Sequence, residues 1–178
     1  MIERIYMLHG KARSGKNYTG EVLKEMLEAR GKKVLICGFG DPVKDTMTRY
    51  WGITDFKSES GRSAIQHYAT DVCRTKNPFV WAKILSLWLQ AVEDLFDVII
   101  IADLRFYTEH KQITYDWGDK SIIKTLNIIR AGDDWSDLTT SQLSHISETE
   151  LDDSKIFDYN IYNAKDKDYL KEQLINII

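Results

Sequence analysis

Short apolar runs alternate along the chain with longer segments in which apolar residues recur every three or four positions. The runs have the length of buried strands, and the periodic segments are typical of helices that cover a sheet. The predicted strands are 5–8, 34–37, 98–102, 122–130 and 159–162. The predicted helices are one that ends near Gly31 and those at 41–51, 62–74, 79–95, 107–117 and 166–178. This alternation predicts an α/β fold with a doubly wound parallel sheet.

Three of these elements have more specific patterns. Residues 98–102 are all apolar, which predicts a central strand covered on both faces. The helix at 41–51 is predicted to begin with Asp41 as N-cap and Pro42 at its first position. The helix at 79–95 is predicted to have one apolar side. That side carries Ile84, Leu85, Trp88, Leu89 and Val92.

Composition narrows the class of protein. A chain of 178 residues without a linker-like run is expected to form a single domain over 1–178. It has no apolar run near the roughly 20 residues that span a bilayer, and its first residues lack a secretory signal. We therefore expect a cytoplasmic protein, which means the host cytoplasm if the chain is phage-encoded. The net charge of −3 argues against a nucleic-acid binder. The two cysteines, Cys37 and Cys73, are expected to be free thiols.

The segment between the first strand and first helix fits G-x-x-x-x-G-K, the phosphate-binding P-loop. Glycines let the backbone N–H groups surround phosphate oxygens, and the lysine reaches the β- and γ-phosphates. A surface turn rich in glycine and lysine is the alternative, but the flanking strand and helix argue against it. The predicted ATP-binding residues are Gly10, Lys11, Ala12, Arg13, Ser14, Gly15, Lys16, Asn17 and Tyr18.

Asn17 departs from the general motif, in which a serine or threonine hydroxyl follows the lysine and binds Mg²⁺. An asparagine amide oxygen holds a metal-bound water instead, or Thr19 takes the role. The protein ligand of the metal therefore stays open between these residues.

Three further segments carry polar residues suited to a phosphate acceptor. Lys44 follows the second strand at a helix start, where backbone N–H groups also attract anions. Arg62 and Gln66 share a helical face with Asp71 or Arg74, although a solvated face is the alternative. Asp103 and Arg105 end the most apolar strand, at the sheet edge where such folds bind ligands, and suit Mg²⁺ and phosphate respectively.

With these residues in place, the chain resembles the phage deoxynucleoside monophosphate kinases, a P-loop family related in fold to adenylate and guanylate kinases. The matching segments are Gly10–Asn17, Phe39–Lys44, Arg62–Trp81, Asp103–Arg105, Ile129–Arg130 and His145–Glu148. Gly40, Ala69 and Leu104 replace residues that are more usual in the family. Animal-type phosphomevalonate kinases share several of the motifs and are the main alternative. A P-loop ATPase or nucleotide switch without a small-molecule acceptor is another.

The resemblance implies a kinase that uses ATP as co-substrate and Mg²⁺ as cofactor and phosphorylates small nucleotides. It implies catalytic roles for Lys16, Arg13, Asp103, Arg105 and Arg130, and acceptor-binding helices over about 41–95. The implied acceptor residues are Asp41, Lys44, Arg62, Gln66, Thr70, Arg74, Trp81 and Glu148. Asp103 and Asn17 are the implied metal residues, directly or through water. The polar segment 131–150 is expected to close as a lid, shaped by His145 and Glu148. The oligomeric state stays open between a monomer and a homodimer.

Overall fold

The computed structural model describes residues 2–118, 122–130, 139–164 and 166–178. Five parallel strands form one sheet in the order β2-β3-β1-β4-β5. The strands are β1 Arg4–His9, β2 Val34–Cys37, β3 Val98–Leu104, β4 Ile123–Arg130 and β5 Tyr159–Asn163. β3 lies between β1 and β2, and Ile99, Ile100 and Ile101 have no exposed surface. The prediction that this apolar run forms a central, doubly covered strand is confirmed.

Helices cover both faces of the sheet. They are α1 Lys16–Glu28, α2 Asp41–Trp51, α3 Glu59–Gln66, α4 Val80–Val92, α5 Tyr107–Trp117, α6 Thr140–Ser144, α7 Ile146–Thr149 and α8 Lys167–Leu174. One core packs α1 and α8 against β1 and β3, and a second core packs α4 and α5 against the opposite face. The predicted doubly wound α/β fold is confirmed. None of these described helices is both long enough and apolar enough to span a membrane.

The connections between strands and helices determine where a ligand site can form. β1 leads into α1 on one face of the sheet, and β3 leads into α5 on the other face. β1 is flanked by β3 and β4, so the chain reverses direction across the sheet next to β1. In open parallel sheets, a crevice for ligands forms at such a point, at the carboxyl ends of the strands. The loop 10–15 begins at that crevice.

α3 changes its geometry before it ends. Residues His67–Arg74 continue α3 as a π-helix, in which each backbone hydrogen bond spans one more residue than in an α-helix. The chain then turns at Pro78 and enters α4, which a 3₁₀ turn extends through Glu93–Leu95. A third apolar cluster joins α2 and α4 through Val43, Met47 and Trp81. The predicted single helix over 62–74 is therefore two helical types in sequence.

Two local predictions are wrong in detail. Gly40 is the N-cap of α2, and Asp41 occupies the first turn, where its carboxylate accepts the Gly38 N–H at 2.7 Å. In α4, Leu85 and Leu89 are buried, but Ile84 and Trp88 are exposed. The predicted apolar side mixes two faces because apolar residues surround most of this helix. Both cysteines are free, as expected.

Candidate active site

The loop between β1 and α1 has the backbone geometry that surrounds a phosphate group. Gly15 caps α1 with a φ of 93°, in the left-handed region that suits glycine. Arg13 also has a positive φ, 64°, the single non-glycine case among the residues described. The Asn163 side-chain amide donates to the Ser14 carbonyl at 3.0 Å, and a Cβ on Gly15 would lie 2.0 Å from that amide nitrogen. Its φ therefore favours glycine at this position, and a side chain there would displace the Asn163 amide.

Lys16 is folded back onto the loop. Its ammonium donates to the carbonyl of Lys11 at 2.9 Å and to that of Gly10. The residue is 7% exposed, and burial, helped by the nearby charge of Arg105, lowers the pKa of Lys16 to about 7. An anionic ligand would replace these carbonyls as the partner of the Lys16 ammonium and would favour the charged form of this lysine.

A cavity of about 680 Å³ extends from this loop to the helices α2–α4. This volume suits a small-molecule ligand. From the loop it is lined by Ala12, Arg13, Gly15, Lys16 and Asn17. The predicted acceptor and catalytic residues that line it are Lys44, Arg62, Gln66, Thr70, Arg74, Trp81, Asp103, Arg105 and Glu148. The fold thus brings residues from the whole chain to one cleft.

The change from α- to π-helix explains how four polar side chains face this cavity. Arg62, Gln66, Thr70 and Arg74 follow each other at intervals of four residues. Four residues overshoot an α-helical turn of 3.6 residues and fall short of the wider π turn. The two deviations compensate, so all four residues line the cavity. Asp71 instead contacts His67 and His145, so Arg74 is the member that shares the face.

Asp103 supports the turn between β2 and α2. Its carboxylate oxygens accept the N–H groups of Phe39 at 2.7 Å and Gly40 at 2.9 Å. A Cβ on Gly38 would lie 2.6 Å from the same carboxylate, so a larger residue there would displace Asp103. The predicted metal-organising acid is thus first a brace for the turn that presents Lys44.

A buried carboxylate holds Arg74. Glu109 is 1% exposed and forms an ion pair with the Arg74 guanidinium, while its other oxygen accepts the N–H groups of Arg105 and Phe106. Burial raises the pKa of Glu109 to about 7, and the Arg74 charge opposes that shift. The Arg74 guanidinium also lies 3.9 Å from the Phe106 ring centre. Glu109 therefore positions two arginines of the cavity together.

Glu148 connects the P-loop to Arg105. Its Oε2 accepts the Ala12 N–H at 2.8 Å, and its Oε1 pairs with Arg105. Its backbone carbonyl accepts from Lys11 at 2.7 Å, and Lys11 also pairs with Asp152. Glu148, which was predicted to bind the acceptor, lines the same cavity and also connects the donor loop to a predicted catalytic arginine.

The remaining predicted residues lie elsewhere. Lys11, Ser14 and Arg130 line a separate cavity of about 200 Å³ beside β4, where Arg130 donates to the Arg13 carbonyl at 3.2 Å. Gly10, Tyr18 and Asp41 line neither cavity. Gly10 instead accepts from Lys16, and Asp41 pairs with Lys44 at 3.2 Å. Arg130 thus lines the smaller cavity and contacts the P-loop through the backbone of Arg13.

Solved kinases share this architecture. The APS kinase of Mycobacterium tuberculosis, in complex with AMPPNP and APS, has a TM-score of 0.54 at 10% identity, over 99% of this chain and 97% of that chain. A gluconokinase from Sinorhizobium meliloti has a TM-score of 0.53 at 10% identity, over 98% and 91%. The shikimate kinase of Aquifex aeolicus has 0.50 at 18%, over 98% and 95%. This chain has the α/β P-loop NTPase fold. No protein-family model and no curated protein matches it.

Within this P-loop NTPase fold, the residues for a Mg²⁺ ion are few. Asp103 and the exposed Asn17 line the same cavity. Thr19 is fully buried, and its hydroxyl has no partner among the described atoms, so it does not reach the cleft. In the part of the chain that the structure describes, no three acidic, histidine or cysteine residues cluster as a metal site. This set fits a Mg²⁺ held chiefly by substrate phosphates and water.

The predicted lid lies partly outside the described residues, which omit 131–138. The remainder forms α6 and α7, and His145 caps α7 by accepting the Ser147 N–H at 3.2 Å. Ser147, Glu148 and Leu151 are buried, so this section packs against the P-loop side of the molecule.

Sequence reasoning missed three residues that organise the site. Glu109 sits at the third position of α5, where its carboxylate accepts the N–H of the N-cap residue Phe106 at 3.1 Å. A glutamate in the first turn of a helix was visible in the sequence, but its ion pair with Arg74 was not. Asn163 ends β5 and holds the P-loop, and Asp152 pairs with Lys11. Nothing in their local sequence indicates these long-range contacts.

Proposed function

We propose that the protein is an ATP-dependent kinase that phosphorylates a deoxynucleoside monophosphate. The observation that carries this proposal is the single cavity lined by the P-loop on one side and by the cations Lys44, Arg62 and Arg74 on the other. A kinase needs donor and acceptor phosphates side by side in one cleft. An ATPase or nucleotide switch needs no second cationic subsite.

The reaction joins an acceptor phosphate oxygen to the γ-phosphorus of ATP and breaks the bond from that phosphorus to the oxygen bridging it to the β-phosphate. The products are a deoxynucleoside diphosphate and ADP. The attacking oxygen is already ionised, so positioning and charge neutralisation supply the catalysis. Lys16 and the loop N–H groups would hold the ATP phosphates. Arg13 and Arg105 would stabilise the negative charge that develops during transfer. A bound Mg²⁺ would neutralise phosphate charge and orient the ATP phosphates.

The donor assignment rests on the loop geometry and on the likeness in fold to a kinase solved with AMPPNP and APS. The acceptor assignment rests on the walls of the cavity. Phe56, Ile65 and Trp81 supply apolar surface beside the polar side chains of Gln66 and Thr70. A planar base has apolar faces and a hydrogen-bonding edge, which suits this mixture. The short chain of phosphomevalonate, with its hydroxyl and carboxylate, suits it less.

A coupled assay of ADP formation would test the proposal. Purified protein with ATP and Mg²⁺ would be supplied in turn with each deoxynucleoside monophosphate, the matching ribonucleotides and phosphomevalonate. We expect ADP formation to require a deoxynucleotide and the diphosphate product to form in equal amount. ADP formation that ignores the acceptor would indicate an ATPase, and turnover with phosphomevalonate alone would indicate the related kinase.

A matched pair of variants would localise the acceptor. Lys44 lines the cavity, whereas Lys76 is exposed and lies outside it. Lys44→Ala should impair use of the deoxynucleotide, and Lys76→Ala should not. Equal behaviour of the two variants would remove the acceptor from this cavity.

A further inference from the structure

One buried carboxylate connects the acceptor side of the cavity to the turn that carries Arg105. Glu109 is 1% exposed, and its two oxygens have different partners. Oε1 pairs with the guanidinium of Arg74. Oε2 accepts the backbone N–H groups of Arg105 at 2.8 Å and of Phe106 at 3.1 Å. Both arginines line the cavity of the proposed kinase, so the carboxylate that holds them bears on the role of each.

Arg74 is held more firmly than Lys44, the other acceptor cation with a known partner. The side chain of Arg74 is 10% exposed, its Nη1 donates to the Pro78 carbonyl at 3.2 Å, and its guanidinium carbon lies 3.9 Å from the Phe106 ring centre. The side chain of Lys44 is 43% exposed. The Nε–H of Arg74 has no partner among the described atoms. The protein therefore fixes this guanidinium without using all of its donors.

An arginine that is fixed before a ligand arrives binds that ligand more tightly. A long, free side chain loses rotamer freedom when it grips a phosphate, and this loss weakens binding. Arg74 has already lost that freedom, because Glu109, Pro78 and Phe106 contact it on separate sides. Without Glu109, the guanidinium would be a buried charge with no opposite charge beside it, and it would turn toward water in the cavity.

We propose that Glu109 is a positioning residue for both substrates, in which Oε1 presets Arg74 for the acceptor phosphate and Oε2 fixes the turn that presents Arg105 to the transferring group. This inference rests on the proposed kinase function. The Arg105 side chain is held separately by Glu148. Acceptor affinity and transfer rate therefore depend on different oxygens of one side chain, which acts through the two arginines.

Glu109→Gln separates the two tasks. The amide oxygen still accepts both backbone N–H groups, but the amide NH₂ then faces the Arg74 guanidinium, where donor meets donor. In titration calorimetry, the Kd for a deoxynucleoside monophosphate should rise about tenfold, and the Kd for ATP should change less than about twofold. The kcat should fall less than about threefold, since the Arg105 turn keeps its partner. Glu109→Ala leaves that turn without a partner and should also lower kcat about tenfold.

The matched control is Asp116→Asn, the same change of carboxylate to amide in the same helix. Asp116 accepts from Ser86 at 2.5 Å and Gln112 at 2.7 Å and lines neither described cavity, so the control should leave acceptor binding unchanged. In an Arg74→Gln background, Glu109→Gln should not weaken acceptor binding further, because the arginine on which it acts is gone. A purely structural role would weaken binding in both backgrounds.

Glu109→Asp keeps the charge but is one methylene shorter, so it should weaken acceptor binding in the same direction and serves if Glu109→Gln is unstable. A wild type that binds and phosphorylates a deoxynucleotide, with Glu109→Gln equal to it in acceptor Kd, would overturn the role of Glu109 alone. A Glu109→Gln effect that persists without Arg74 would do the same. Equal kcat values for Glu109→Gln and Glu109→Ala would overturn the division between the two oxygens. A wild type that binds no deoxynucleoside monophosphate would refute the proposed function and this inference with it.

Discussion

Lys16 should couple ATP binding to proton uptake. In the free protein its ammonium is buried against two loop carbonyls, near the positive charge of Arg105, and its pKa lies at about 7. The triphosphate brings several negative charges to the same atom. These charges favour the protonated lysine, so its pKa in the complex should return toward the ordinary value of about 10.4.

The size of the effect follows from this difference. With a pKa of about 7, the protonated fraction of Lys16 in the free protein falls from about a quarter at pH 7.5 to about a hundredth at pH 9. If only the protonated form binds ATP tightly, the apparent Kd should rise about 25-fold over this interval. ATP phosphates are fully ionised throughout it, so they contribute little to the change.

Isothermal titration in buffers with different ionisation enthalpies measures both the Kd and the protons taken up. We expect uptake of close to one proton per ATP at pH 9. Lys16→Arg should abolish the pH dependence, because a guanidinium stays charged, whereas Lys44→Ala should retain it. A wild-type Kd that varies less than about twofold from pH 7.5 to 9, without proton uptake, would refute this account of Lys16.

Three further predictions concern the acceptor side and the core. Lys44→Ala should raise the KM for the deoxynucleotide about tenfold and that for ATP much less, as steady-state kinetics would show; the reverse pattern would place Lys44 beside ATP. Asp103→Asn should lower the free energy of unfolding by about 1 kcal/mol in a denaturant titration and lower kcat about tenfold, because an amide cannot accept both turn N–H groups. A variant with wild-type stability and wild-type kcat would contradict this role of Asp103. His9 is buried, which lowers its pKa to about 4, so its protonation favours the unfolded chain as pH falls below 6.5. Between pH 6.5 and 4.5 the wild type should therefore lose about 2 kcal/mol more of its free energy of unfolding than His9→Gln, as thermal unfolding would measure. Equal losses in the two proteins would count against this account of His9.

Local sequence patterns determined most of the fold. The apolar run at 98–102 had to be a central strand, because only a site between two other strands and two helical layers covers every one of its side chains. The loop after β1 was recognisable for a similar reason. Its glycines allow the backbone to curve around a phosphate group, and its lysine follows at a fixed spacing. Both features can be recognised within one short segment of sequence.

The tertiary structure decided how the site residues pair. The spacing of Arg62 and Arg74 suggested a shared face, but a π-helix that no local pattern revealed was needed to bring both to the cavity. Contacts such as Glu109 with Arg74 join residues 35 positions apart. A buried charge needs a partner whose location depends on how the helices pack, and residue type alone does not specify that packing.

The exposed side of α4 shows the same limit. Its sequence predicted one apolar side over Ile84, Leu85, Trp88, Leu89 and Val92, but the sheet covers only part of that set. Only the packed molecule showed that Leu85 and Leu89 face the core while Leu87 and Trp88 do not. A helical period states which residues lie together, whereas the surface that covers them depends on elements distant in the chain.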